Sequence, residues 1–302
     1  MTGPLAESLS LAQCALEGLS VGDALGAFFE FSSGAPSRRL TERILPPLPW
    51  RWTDDTQMAL SVFSVLRAHG RIDQDELAAS LATHYERERG YGLTMRGMMH
   101  RLRQGKPWQQ HAPALFGGRG SFGNGGATRV PPLGAFFAQD IERAALEAQS
   151  ACAVTHAHPE ALAGARAVAA ATALAWQGRE QPPRSRDAFL AEILPLLAPS
   201  EVRDRLTQAS NLSSTITVTE AASRLGNGSQ VSAQDTVPFA LWCAAGWLDN
   251  YEEAIWQTLD GGGDCDSTCA IVGGIVVMAR GIEGIPERWH QAREPLPGWP
   301  FR

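Results

Sequence analysis

No apolar run in this chain approaches the roughly 20 residues needed to cross a bilayer. The longest, Cys269 to Ala279, has 11 residues and two glycines and reads as a core helix. No charged n-region, apolar h-region and cleavage site opens the sequence, so the expectation is a cytoplasmic protein with no secretory signal and no membrane partner. Basic charge is not in excess either. A net charge of −6 and a pI near 5.7 argue against an extended nucleic-acid surface, and the short basic stretch from Arg101 to Lys106 reads as a solvated helix face. Five cysteines, Cys14, Cys152, Cys243, Cys265 and Cys269, are odd in number and sit mostly among apolar neighbours. They lack the spacing of a zinc site and suit reduced core thiols better than a disulfide framework. Alternating, strand-like segments are few, no internal repeat is visible, and the proline-bearing stretches at Pro182-Pro183 and around Pro195 and Pro199 are too short to link domains.

What the chain has is helical periodicity. Apolar residues recur at helix spacing over Leu5 to Ser20, Asp54 to His69, Asp73 to Arg89, Gln139 to Val154, Pro159 to Gln177, Arg186 to Leu197, Ser200 to Ser210, Val218 to Leu225, Thr236 to Leu248, Tyr251 to Leu259 and Ser267 to Arg280. Asp73 with Glu76 forms a capping-box variant, and Asn250 precedes a helix with acids in its first turn. With 302 residues, 44% of them hydrophobic, the chain can bury a substantial core, and the expected fold is a single all-α domain over residues 1–302. Two longer loops interrupt it, Phe31 to Trp52 and the glycine-rich Phe116 to Leu133; long ordered loops in compact domains are often functional.

Two acidic clusters carry the chemistry. Thr53-Asp54-Asp55-Thr56 and Asp264-Cys265-Asp266-Ser267-Thr268 each open a strongly apolar segment and so resemble helix starts. One acid can serve as a cap, but four carboxylates brought together repel one another unless cations neutralise them. Hard oxygen donors without a Cys/His quartet favour Mg²⁺ or Mn²⁺ over zinc. Asp264 and Asp266, one residue apart, can point the same way from a turn that Gly261, Gly262 and Gly263 make supple. The bland alternative is a pair of capped helix starts.

Gly118-Arg119-Gly120-Ser121-Phe122-Gly123 matches the dinucleotide fingerprint G-x-G-x-x-G letter for letter. That fingerprint requires a strand before it and a βαβ unit around it, and neither is in sight. What survives is an anion nest, since six glycines in Gly117 to Gly126 expose backbone N–H groups to a phosphate. Gly123 is expected to use a positive φ, and Phe122 is placed to stack on a base. Asp264-Cys265-Asp266-Ser267-Thr268 likewise imitates the D-x-D-x-T of aspartyl-nucleophile phosphatases, yet it follows a helix and three glycines rather than a buried strand.

With these pieces together, the chain resembles the ADP-ribosylglycohydrolase family, which includes dinitrogenase-reductase-activating glycohydrolases and ADP-ribosyl-acceptor hydrolases. The resemblance rests on five motifs in the family's order: Gly18 to Gly26 followed by Glu30, Trp52 to Met58, Ser121 to Arg129, Thr155 to Ala161, and Gly262 to Ser267. It implies a compact, orthogonal helical domain with a dinuclear metal site, two Mg²⁺ or Mn²⁺ held by Thr53, Asp54, Asp55, Asp264, Asp266 and Ser267. It further implies a distal ribose over the metals, the pyrophosphate in the glycine loop, and a substrate-binding set of Ser121, Phe122, Gly123, Asn124 and His156.

The implied activity is metal-dependent hydrolysis of the bond between ADP-ribose and its acceptor, with ADP-ribosylated arginine on protein as the leading acceptor and serine as an alternative. Glu30, Asp55 and Asp266 are the candidate catalytic carboxylates. On sequence alone, a glutamate at a helix end such as Glu30 is usually a solvated surface acid. Asp23 is read as supporting the site from the end of the first helix, and His158, beside Pro159, as structural. The expected partner is an ADP-ribosylated protein or a small ADP-ribose-containing molecule, and the chain is expected to be a monomer. Cys265 stands where relatives often have Thr, and Arg89-Gly90-Tyr91 precedes Gly92-Leu93-Thr94 where the nitrogen-fixation enzymes carry an acid, which weakens that assignment. A relative that binds ADP-ribose without turning it over is the rival from another functional class.

Overall fold

The computed structural model describes residues 3–30, 38–182 and 184–302; residues 31–37 of the expected Phe31 to Trp52 loop, and Pro183, lie outside the described residues. Among the described residues the only β-pairing is two isolated bridges, Trp50 with Arg293 and Gly123 with Ser232. Everything else regular is helical, and one contiguous apolar core runs from Ala12 to Ala292. No described helix is long and apolar enough to cross a membrane. All five cysteines are free, four of them buried.

Two helices form the spine of this core, Pro4–Glu30 and Cys265–Arg280. Their backbones approach so closely that side chains are excluded at the crossing. A Cβ on Gly18 would lie 2.4 Å from the Gly273 carbonyl oxygen, one on Gly22 2.1 Å from that of Cys269, and one on Gly26 2.3 Å from that of Cys265. Glycine at every fourth position keeps one face of the first helix bare. The next residue on that face is Glu30, which the crossing therefore delivers to the start of the second helix, beside Asp266. Periodicity ended the first helix at Ser20 because Gly22 and Gly26 look like breakers; tertiary packing overrides their low propensity and the helix continues for ten residues more. Asp23 accordingly lies within the helix and not at its end.

Several other boundaries agree with the sequence, including Asp54–His69, Pro159–Gln177 and Val218–Leu225. Asp73 and Asn250 cap their helices through Glu76 N–H and Glu253 N–H. Two helices were not in the expected set, Leu93–Arg103, of which only the basic end was read as a helix face, and Trp108–Gly118, whose backbone leaves helical geometry at Leu115 to Gly117. The expected loop Phe116 to Leu133 is in part helical, with Gly125–Thr128 and the start of Pro131–Phe136 folded inside it.

Candidate active site

The two acidic clusters meet. Thr53 caps the Asp54–His69 helix, its hydroxyl accepting from Asp55 N–H at 3.4 Å. That cap leaves both following carboxylates free of capping duty. Asp264 stands at the N-cap of Cys265–Arg280 but makes no side-chain cap; its Oδ2 instead accepts from Asn124 Nδ2 at 2.6 Å. The picture of two ordinary capped helix starts therefore fails at Asp264. Carboxylate oxygens of Glu30, Asp264 and Asp266 lie within 4.8 Å of one another, a group that could hold a metal ion.

Hydrogen bonds fix most of these acids. Asp55, 4% exposed, accepts from the Thr128 hydroxyl on Oδ1 and from the Ser267 hydroxyl on Oδ2, the latter at 2.9 Å. The Asp266 Oδ1 accepts from Ser267 N–H at 2.6 Å. Glu30 is hydrogen-bonded to Asp266, and its Oε2 is buried without a hydrogen-bond partner. Among the described residues, none of Glu30, Asp54, Asp55, Asp264 and Asp266 forms an ion pair with a basic side chain.

Their electrostatics follow from crowding without countercharge. Burial, then the charge of Asp23, pushes Asp54 up to about 8. Burial, then neighbouring Asp54, raises Asp55 well above the usual carboxylate range, and burial with Asp264 does the same to Asp266. Glu30 is raised chiefly by burial. Such groups take up either protons or cations. The donor set fits a hard divalent cation: the Thr53 hydroxyl donates a hydrogen bond to Asp23 and the Ser267 hydroxyl donates one to Asp55, so both oxygens keep lone pairs for coordination.

Around the acids lies a cavity of about 1230 Å³ whose lining includes Glu30, Thr53, Asp54, Asp55, Asp264, Asp266 and Ser267 together with Ser121, Phe122, Gly123, Asn124 and His156. Every residue expected at the site from sequence thus borders one space. Phe122 stacks on Phe116 with centroids 5.9 Å apart and meets His158 edge-on at 5.4 Å; its carbonyl accepts from Ala233 N–H. His156 is buried, and burial followed by the nearby Arg129 cation lowers its pKa to about 3. The ring is therefore neutral near pH 7, with Nδ1 2.8 Å from the Thr155 hydroxyl. His158 caps Pro159–Gln177 through Glu160 N–H, the structural role expected of it.

Two details depart from expectation. Gly123 does not use a positive φ, which falls instead at Gly117, Gly118 and Gly120. What restricts Gly123 is crowding, since a Cβ there would sit 3.1 Å from His156 Nε2. Asn124 faces the acids, bonded to Asp264 and to the Thr236 hydroxyl. Sequence reading also missed Phe116, Thr128, Arg89 and Arg129. Arg89 stacks 3.2 Å over Trp52, pairs with Glu294 and donates to the Trp52 carbonyl, bracing the turn that presents Thr53. Arg129 is wholly buried behind the site, bonded to the Ala151 carbonyl at 2.7 Å. Thr128 and Arg129 stood inside a motif already singled out; Phe116 and Arg89 had no local signal.

The comparisons agree with this geometry. A family model described as ADP-ribosylglycohydrolase matches residues 6–299. Human ADP-ribosylhydrolase ARH3 is 28% identical over 96% of this chain and 90% of its own. The ADP-ribosylarginine hydrolase Tri1 of Serratia proteamaculans is 27% identical over 95% of this chain and 76% of its own. A solved structure titled ADP-ribosylglycohydrolase-related protein complex superposes with a TM-score of 0.67 at 26% identity, covering 96% of this chain and 94% of that one. Over nearly its whole length, then, the chain belongs to the ADP-ribosylglycohydrolase family and is an enzyme of that glycohydrolase type.

Proposed function

We propose that this enzyme hydrolyses the glycosidic bond joining ADP-ribose to an acceptor side chain, with arginine on protein as the acceptor and two Mg²⁺ or Mn²⁺ ions as cofactors. The observation that carries the reading is the convergence of Glu30, Asp264 and Asp266 within 4.8 Å at a cavity that also holds the Phe116–Phe122 stack. Asp54, Asp55, Asp264 and Asp266, with the Thr53 and Ser267 hydroxyls, would hold the cations. When bound, these would supply Lewis-acid stabilisation of charge developing at the ribose and would orient it for attack.

The remaining steps belong to the chain. Phe122 and Phe116 offer an aromatic face to the adenine, and the part of the glycine loop that borders the cavity, Ser121 to Gly125, would offer backbone N–H groups to the pyrophosphate. Neutral His156 contributes a hydrogen bond near the ligand and no charge. Cleavage through an oxocarbenium-like state needs a proton donated to the departing acceptor and one removed from the attacking water. Glu30 suits both tasks. Asp55 has both oxygens engaged by hydroxyls, Asp264 is engaged by Asn124, and Asp266 accepts from Ser267 N–H, whereas Glu30, hydrogen-bonded to Asp266, keeps Oε2 without a partner. Asp55 and Asp266 then position the charge, and Glu30 moves the proton.

The arginine assignment draws on Tri1, whose name specifies ADP-ribosylarginine; ARH3, at similar identity, carries no acceptor in its name. A panel of peptides ADP-ribosylated on arginine, serine and glutamate, with products followed by mass spectrometry, tests it. Release of ADP-ribose chiefly from the arginine peptide is expected. Release from serine alone would move the acceptor, and release from none would remove the activity.

A further inference from the structure

Among the described residues only three other than glycine hold a positive φ, Arg43, Phe116 and Val231. Arg43 pairs with Glu253; Phe116 and Val231 both line the active-site cavity. At Val231, with φ 49°, the conformation is costly, because a β-branched side chain crowds its own backbone in the left-handed region. Such outliers persist only where the surroundings hold them, and they gather at ligand sites. The surroundings of Val231 do hold it. Its N–H donates to the Gly228 carbonyl at 2.6 Å, Gly228 N–H to the Asp235 carbonyl at 3.1 Å, and Gln230 N–H to the buried Asp235 carboxylate at 2.9 Å. One flank of this turn is tied to the acids, where Asp264 N–H donates to the Asn227 carbonyl at 3.1 Å. The other is tied to the aromatic end of the cavity: Ser232 bridges to Gly123, and Ala233 N–H donates to the Phe122 carbonyl at 2.9 Å.

The free fold gains nothing from this arrangement. The backbone is strained, and both apolar side chains stay in water, Phe116 48% and Val231 61% exposed, where they contribute nothing through burial. A ligand that covers them changes that balance, since the hydrophobic effect then favours the strained placement. On the function proposed above, in which Phe116 and Phe122 receive the adenine, we infer that Val231 is a further ligand-binding residue, its isopropyl group packing on the base of bound ADP-ribose. The turn from Asn227 to Ser232 then serves both ends of the ligand, bracing Asp264 at one and presenting Val231 at the other.

Val231→Gly and Val231→Asn separate the side chain from its backbone. Both replacements accept a positive φ, so the turn is kept and the unfolding midpoint should hold or rise. Glycine removes the side chain, whereas asparagine keeps its bulk and removes its apolar character. Calorimetry on the full chain in Mn²⁺ should show ADP-ribose affinity falling by about 3- to 20-fold in each variant, as expected for lost apolar burial, with Mn²⁺ affinity unchanged. A loss confined to Val231→Gly would trace to freedom of the turn and overturn the inference. So would an equal loss of Mn²⁺ affinity, which would place the effect at Asp264, a midpoint lowered by several degrees in both variants, or wild-type ADP-ribose affinity in both. A wild type that binds no ADP-ribose would overturn the proposed function and this inference with it; the other outcomes leave that function standing.

Discussion

Asp23, fully buried within the first helix, accepts from Thr53 twice, from its backbone N–H at 2.9 Å and from its hydroxyl at 2.8 Å. Thr56 adds its own N–H at 3.1 Å and a short hydroxyl bond at 2.5 Å. A single carboxylate therefore clamps the turn that opens the Asp54–His69 helix, and it does so from the helix that also carries Glu30. By accepting the Thr53 O–H it points that proton away and leaves a lone pair of the hydroxyl oxygen available for a ligand.

Asp23→Asn replaces one acceptor oxygen with an N–H₂ group opposite hydroxyl and amide donors, so the clamp loosens although the volume is kept. Loss of such a supporting hydrogen bond typically costs about 10–100-fold in metal affinity. Calorimetric titration with Mn²⁺ is expected to show a weakening of that order. Unchanged affinity would reduce Asp23 to a packing residue.

Glu30→Gln preserves shape and removes the titratable proton. If Glu30 carries the proton transfers, kcat falls by about 10²–10⁴ while ADP-ribose affinity stays within a few fold. Binding and single-turnover hydrolysis should be measured on one preparation. Wild-type kcat in this variant would return the role to Asp55 or Asp266.

Phe122→Ala removes one ring of the stack with Phe116 and is expected to weaken ADP-ribose binding by about 0.5–1.5 kcal/mol, with metal affinity unchanged. Phe116, half-exposed and held at φ 51°, should show a loss of the same kind. Wild-type ADP-ribose affinity in both variants would place the base elsewhere.

The metal-free enzyme should lose stability as pH rises above neutrality. Asp54 is raised to about 8, with Asp55 and Asp266 raised as well. Above their unfolded values near 4, these groups bind more protons in the folded chain than in the unfolded one, so stability falls with increasing pH up to the folded values. His156, lowered to about 3, works in the opposite sense between about 3 and 6.5, which makes the window from about pH 6.5 to 8.5 the clean one. In chelator the unfolding midpoint should drop across that window, and Mg²⁺ or Mn²⁺ should flatten the drop. A midpoint that climbs with pH in chelator would contradict the crowding of the acids.

Much of this was legible in the chain. The acidic clusters, the glycine loop and the histidine motif are contiguous in sequence, and each contributes residues to the cavity wall, Ser121 to Gly125 from the loop and His156 from the histidine motif. Some helices, such as Asp54–His69 and Pro159–Gln177, were found to the residue, while others, such as Pro4–Glu30 and Gln74–His84, were found with ends displaced by several residues. What escaped depends on partners far along the chain. Gly22 and Gly26 read as helix breakers until the Cys265–Arg280 helix lies against them, Asn124 reads as a ligand-loop residue until Asp264 comes within 2.6 Å, and Arg89 carries no signal until Trp52 and Glu294 close on it. Long-range packing, not local preference, decides such positions.

The most direct measurement is ADP-ribose release from an arginine-ADP-ribosylated peptide by the wild type and by Asp54→Ala, Asp55→Ala, Asp264→Ala and Asp266→Ala, each in chelator and after return of Mg²⁺ or Mn²⁺. The wild type is expected to stop in chelator and recover with either ion, and each variant to fall by about 10²-fold or more. Full turnover by the wild type in excess chelator, or near-normal rates in two of the four variants, would contradict the assignment of this acidic site as the catalytic centre.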